Sequence, residues 1–124
     1  MTDDNREIFG GPLLDLVAIQ ESINANEITP DNVWIATEKA DDDLYLLRWD
    51  EQSVCAFIEI LEHGDYKKSE WARSSANSKH ACDVYVVRFD HDAWERDPNA
   101  LGYYFKFSMD ALGGLTICVC SCHT

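Results

Sequence analysis

Asp83-Val84-Tyr85-Val86-Val87-Arg88-Phe89 is the stretch that decides the fold. β-branched and aromatic residues dominate it, and it is too short and too apolar for a surface helix, so it reads as a central strand. Toward the C-terminus, Tyr103 to Met109 and Leu115 to Cys122 have the same character. Between them Asp110-Ala111-Leu112-Gly113-Gly114 supplies glycines that permit the positive φ of a tight hairpin, so a meander is predicted. Asp90 to Gly102, with Pro98-Asn99, is polar and longer than an ordinary hairpin loop. Toward the N-terminus the period changes. Asp50 precedes Glu51-Gln52-Ser53, and Val54, Phe57, Ile58 and Leu61 follow at spacings of three and four, which predicts an N-capped helix ending near Gly64. Thr29-Pro30 opens another expected helix through Val33 and Ala36 toward Ala40, where Asp41-Asp42-Asp43 interrupts it. Leu13, Leu16, Val17 and Ile23 predict an amphipathic helix over 13–26, with Pro12 suited to its first turn. Helices first and antiparallel strands after give an α+β class, N-terminal helices packed on a small antiparallel β-sheet. A chain of 124 residues fits one domain, helical over about 1–64 and sheet over about 65–124.

No stretch approaches the roughly eighteen consecutive apolar residues of a membrane span, and the opening Met1-Thr2-Asp3-Asp4-Asn5-Arg6 is acidic where a secretory signal is basic and then apolar. A cytoplasmic protein with no membrane partner is expected. Five cysteines make an odd count, and Cys118, Cys120 and Cys122 alternate so that a strand would hold them on one face, which fits a reducing compartment. With His123 they raise the question of zinc. In an extended strand Cys118 and Cys122 lie about 13 Å apart at ~3.3 Å per residue, too far to share one tetrahedral ion. The usual Cys-x-x-Cys pairs are missing, so buried, inert thiols and no metal ligands are expected.

The net charge is −13, which opposes binding to phosphate. Its distribution is uneven. Residues 1–66 carry 16 Asp and Glu against Arg6, Lys39 and Arg48, whereas residues 67–124 carry seven acids against seven bases. Lys67, Lys68, Arg73, Lys79 and His80 fall within fourteen residues with only Glu70 opposing them, so this segment is a candidate cationic patch. Arg73 and Lys79 are its candidate RNA-binding residues. The acidic half fits either a surface that repels nucleic acid or the carboxylate coat of a high-salt protein.

Several motifs recur in one order. Trp49-Asp50 and the helix from Val54 to Leu61 run into Leu61-Glu62-His63-Gly64-Asp65-Tyr66-Lys67-Lys68-Ser69. Asp83-Val84-Tyr85, Tyr103-Tyr104-Phe105-Lys106-Phe107 and Val119-Cys120-Ser121-Cys122-His123 follow. Over about residues 49–123 this order and spacing resemble the motility quorum-sensing regulator (MqsR-type) family of messenger-RNA interferase toxins. The resemblance implies a RelE-like fold, metal-independent cleavage of single-stranded RNA with no cofactor, and control by a protein antitoxin.

Such cleavage requires a proton acceptor for the attacking 2′-hydroxyl, a proton donor for the leaving 5′-oxygen, and fixed positive charge at the phosphate. By the resemblance, Lys68 matches the catalytic lysine that stabilises the phosphate, with Lys67 beside it. Tyr104 matches the tyrosine that orients the phosphate or shares a proton. His123 stands where the last catalytic lysine stands, and an imidazole is the better acid or base at neutral pH. Lys106 follows in the tyrosine strand as a supporting cation. The family places glutamine immediately before Asp-Val-Tyr; here Cys82 stands there, and a thiol cannot both donate and accept as an amide does. His80, two residues earlier on the same face of a strand, is the candidate substitute. The alternative for the whole set is a catalytically silent, acidic binding or regulatory protein on the same scaffold.

Overall fold

The computed structural model describes residues 6–110 and 116–124. They form three helices and seven strands: β1 (Glu7–Ile8), α1 (Leu16–Asn24), β2 (Val33–Ile35), α2 (Glu38–Leu47), α3 (Glu51–Ile60), β3 (Tyr66–Arg73), β4 (Lys79–Asp90), β5 (Glu95–Arg96), β6 (Gly102–Asp110) and β7 (Thr116–His123). The strand order is β1-β3-β4-β6-β7-β2, with β5 attached to β4. The expected strands are present; β4 and β6 are longer than read, β7 runs Thr116–His123, and the predicted central strand is the twelve-residue β4. The glycine hairpin at 111–114, and Leu115, lie outside the described residues.

Tyr66–Arg73 is a further strand, paired antiparallel with β4, that the charge-rich sequence conceals. The sheet is also not wholly antiparallel. Val33-Trp34-Ile35, expected within a helix, is instead a strand running parallel to Ile117–Val119 at the sheet edge. Pro30–Asn32 forms a single 3-10 turn before it. The helix then restarts at Thr37, whose hydroxyl accepts from Ala40 N at 3.0 Å and donates to Cys120 O at 2.8 Å. It runs through Asp41-Asp42-Asp43 rather than stopping there. Asp41 lies in the first turn, where a helix favours negative charge, and Asp43 is buried against Lys39 Nζ (3.0 Å) and Cys122 N (3.0 Å). Because this one hydroxyl caps α2 and ties it to β7, Thr37→Ala is expected to cost about 1–2 kcal/mol, read as a lower urea midpoint with an unchanged slope.

α1 is shorter than expected, because Asp15 caps it and accepts from Ala18 N. Leu16, Ile19 and Ile23 are buried, while Leu13 and Val17 are exposed. α3 starts as expected but ends at Ile60 rather than near Gly64, which lies in a separate 3-10 turn, His63–Asp65. Asp50 accepts from Ser53 N, and Val54, Phe57, Ile58 and Leu61 are buried.

Strand alternation divides the sheet. Tyr85, Val87 and Phe89 of β4, Tyr103, Phe105 and Phe107 of β6, and Ile117 and Val119 of β7 join the buried helix residues in one apolar cluster. The intervening residues form a second, more polar face. On β7 the alternation breaks. Lys106 pairs with Ser121 but Phe107 with Val119, so Cys120 is the extra residue of a β-bulge. The three cysteines therefore do not share a face as expected: Cys118 and Cys120 cluster with Cys82, whereas Cys122 joins the main core opposite Phe105.

The N-terminal segment is fastened to the sheet by Asp83. This buried carboxylate accepts from Leu13 N (3.0 Å), Leu14 N (2.9 Å) and Ser69 Oγ (2.7 Å). Gly11 passes so close to the Ser69 and Tyr66 side chains that a Cβ would collide with both. The chain before it pairs with β3, and Trp71 N donates to Arg6 O at 2.7 Å. Arg6 is thereby delivered to the polar face.

Candidate active site

Cross-strand register assembles the site. Lys68 lies opposite Val84, Val84 opposite Lys106, and Lys106 opposite Ser121, a row across β3, β4, β6 and β7. Residues directly opposite share a face, so Lys68 and Lys106 project from the polar side. On one side of this row Glu70 lies opposite Cys82, and on the other Val86 lies opposite Tyr104 and Tyr104 opposite His123. Thr37, Lys39, Arg73, Tyr104, Lys106 and His123 border a cavity of about 420 Å3 whose wall is completed by Arg6, Ala72, Cys120 and Ser121.

Glu70 does not line this cavity but ties together the side chains around it. Its carboxylate is 3.1 Å from Arg6, 3.3 Å from Lys68 Nζ and 3.7 Å from Lys106 Nζ, and it accepts from the Tyr104 hydroxyl at 3.2 Å. Burial pushes the Glu70 carboxyl up, but Lys106, Lys68 and Arg6 together outweigh it and hold the group below its ordinary value. The contribution of this carboxylate to stability is accordingly present at neutral pH. It is lost as pH falls through the lowered folded-state value. Burial, reinforced by the Glu70 charge and hydrogen bond, pushes the Tyr104 phenol up to about 12, so Tyr104 is a proton-bearing donor at neutral pH. His123 stacks on the Tyr104 ring, centroids 4.8 Å apart and 19° between planes, with Nδ1 3.2 Å from Thr124 O.

Tyr104, Lys106 and His123 are thus brought together at one cavity, and Lys68, which does not line it, is joined to them through Glu70. Lys67 is not with them: it is the exposed extra residue of a β-bulge between Tyr66 and Lys68. Arg73 borders the cavity but holds the β3–β4 turn, donating to Asn77 Oδ1 at 3.1 Å. Lys79 sits 4.8 Å above the Trp71 ring. His80 turns to a different cavity, where its ring meets Trp34 edge-on at 5.7 Å and its Nε2 is buried with no hydrogen-bond partner among the described residues. Cys82 is fully buried and donates to Cys120 Sγ at 3.6 Å. That hydrogen bond and burial push the Cys82 thiol up, while accepting it, helped by Lys106, brings Cys120 down. Neither Cys82 nor His80 stands in for an amide at the cavity. Among the described residues no three His, Cys, Asp or Glu side chains are disposed to hold a metal ion, and no helix is long and apolar enough to cross a membrane.

The residues that sequence reasoning missed are Glu70 and Arg6. Glu70 had a visible signal, as the single acid inside the cationic segment. Arg6 had none, because it reaches the site only through the strap that Asp83 holds. No family model, curated protein or solved structure matches the chain.

Proposed function

We propose that the polar face cleaves single-stranded RNA without a metal ion, as a toxin-type endoribonuclease restrained by a protein antitoxin. In this reading the fold is RelE-like, with the helices packed on the opposite face of the sheet, and the protein works in the cytoplasm. The observation that carries it is the Glu70 carboxylate, buried among three cations and a phenol with an imidazole beside them.

Each required role has a candidate. Phosphate oxygens entering the cavity compete with Glu70 for Arg6, Lys68 and Lys106. Relieved of those charges, Glu70 becomes a stronger base and accepts the 2′-hydroxyl proton as the 2′-oxygen attacks phosphorus. The three cations and the Tyr104 hydroxyl stabilise the charge that builds on the phosphorane. Protonated His123 gives its proton to the 5′-oxygen as the P–O5′ bond breaks. The products are a 2′,3′-cyclic phosphate and a 5′-hydroxyl, with one proton gained by Glu70 and one lost by His123.

The roles of Lys68 and His123 are separable. Lys68→Ala is expected to lower the cleavage rate about 10²–10³-fold, the usual effect of removing one transition-state donor. His123→Ala is expected to lose about 10²–10⁴-fold on ordinary RNA and to recover most of that loss when sulfur replaces the 5′-oxygen, because a thiolate leaves unprotonated. Equal loss on both substrates would remove His123 from the role of acid.

A second reading, an acidic binding protein without chemistry, is favoured by the commitment of Cys82 to Cys120 where the resembled family has glutamine. It predicts intact RNA together with salt-sensitive binding to a basic protein partner.

A further inference from the structure

The cavity over Tyr104 and His123 shares lining residues with another at β3, where Trp71 alternates with Glu70 and so projects from the other face of the strand. Arg6, Ala72 and Arg73 border it and also border a second cavity of about 360 Å3, completed by Trp71 and Lys79. Trp71 is 38% exposed, and the Lys79 ammonium rests 4.8 Å above its ring. Three cations therefore border the same cavity as one accessible indole in a chain of net charge −13: Lys79 over the ring, Arg6 paired with Glu70, and Arg73 bonded to Asn77.

An exposed indole under one cation, with two more bordering its cavity, suits one ligand class. A base freed from its own stack lies on an aromatic face whatever its identity, and flanking phosphates take the cations. A cation parked on an exposed ring is weakly held, so a phosphate readily draws Lys79 off and uncovers the Trp71 face. Duplex RNA keeps its bases stacked internally and cannot use such a platform. We propose that this second cavity is a nucleotide subsite for single-stranded RNA: a base next to the cleaved linkage stacks on Trp71, Arg73 and Lys79 hold its outer phosphate, and Arg6 bridges to the scissile one. The assignment of the scissile linkage rests on the cleavage reading above.

The subsite explains how an acidic protein would hold RNA. In this reading Arg6, Arg73 and Lys79 carry the bound strand around β3 between the two cavities that Arg6, Ala72 and Arg73 both border.

The test uses the full chain free of any partner and a single-stranded 2′-O-methyl octanucleotide, which binds but cannot be cut. Tryptophan fluorescence and affinity are measured for the parent, Trp71→Phe, Trp71→Ala and Arg73→Ala, with a 2′-O-methyl dinucleotide and an RNA duplex as comparisons. The parent is expected to bind the octanucleotide with quenching. Trp71→Ala should lose the quench and about tenfold or more in affinity, Trp71→Phe should keep most of the affinity, and the dinucleotide should bind both alike. Octanucleotide binding and quench unchanged in Trp71→Ala, or a duplex bound as well as the single strand, would overturn the subsite. Binding of this probe is independent of bond cleavage, so the two readings fail separately. Trp71-dependent binding with ordinary RNA left intact keeps the subsite and removes the nuclease. Cleavage with Trp71-independent binding does the reverse.

Discussion

Replacing Glu70 with glutamine is expected to slow RNA cleavage about 10²–10⁴-fold, the range a positioned general base supplies. The amide has nearly the size of the carboxylate and still accepts from Tyr104, so the shape of the cavity is retained while the proton acceptor is lost. The parent should also lose activity on its acid limb only below the ordinary carboxylate range, since Arg6, Lys68 and Lys106 hold Glu70 down before substrate arrives. Measured as kcat/KM against pH, that limb should vanish in Glu70→Gln. A variant that cuts within threefold of the parent would show that Glu70 is an ion-pair anchor and nothing more. Glu70→Ala is the poorer probe: it removes the accepting oxygens as well as the charge, and leaving Lys106, only 5% exposed, with no acceptor there is expected to cost about 3–5 kcal/mol.

Asp83→Ala is expected to have the largest effect on stability, about 3–5 kcal/mol in urea unfolding. The fully buried carboxylate is the shared acceptor for Leu13 N, Leu14 N and Ser69 Oγ, and alanine leaves the two backbone donors without it, Ser69 keeping the Tyr66 hydroxyl as a partner. Asp83→Asn, which keeps one accepting oxygen, should lose less. The effect should reach the active site, because the strap that Asp83 fastens is what positions Arg6 against Glu70. A stability change under about 1 kcal/mol would mean that the strap is held mainly by β1 and the Gly11 approach.

The meander and α3 were legible because their signals are local. Alternation in Asp83–Phe89 and the three-four spacing behind Asp50 need no knowledge of distant partners. β2 was not legible. Three residues, Val33-Trp34-Ile35, become a strand only because β7, more than eighty positions later, offers a parallel edge. The Asp41–Asp43 run looks like a break in isolation, yet Thr37 caps the helix and Cys122 N takes the Asp43 carboxylate. A bulge at Cys120 is equally invisible to counting by twos, and it sends Cys122 into the core. The site divides in the same way. Lys68, Tyr104, Lys106 and His123 were found by motif order, and the register brings them together. Glu70 at their centre was passed over as a candidate because one acid among several cations reads as mere neutralisation, and its burial among Arg6, Lys68 and Lys106 is not legible in the sequence.

The most direct measurement is to incubate the partner-free protein with a long single-stranded RNA in EDTA, beside Glu70→Gln and Lys68→Ala, and to map the ends formed. The account predicts discrete cuts by the parent, bearing 2′,3′-cyclic phosphate and 5′-hydroxyl ends, that fade in both variants. Intact RNA in every lane, or cuts that persist unchanged in both variants, would contradict it.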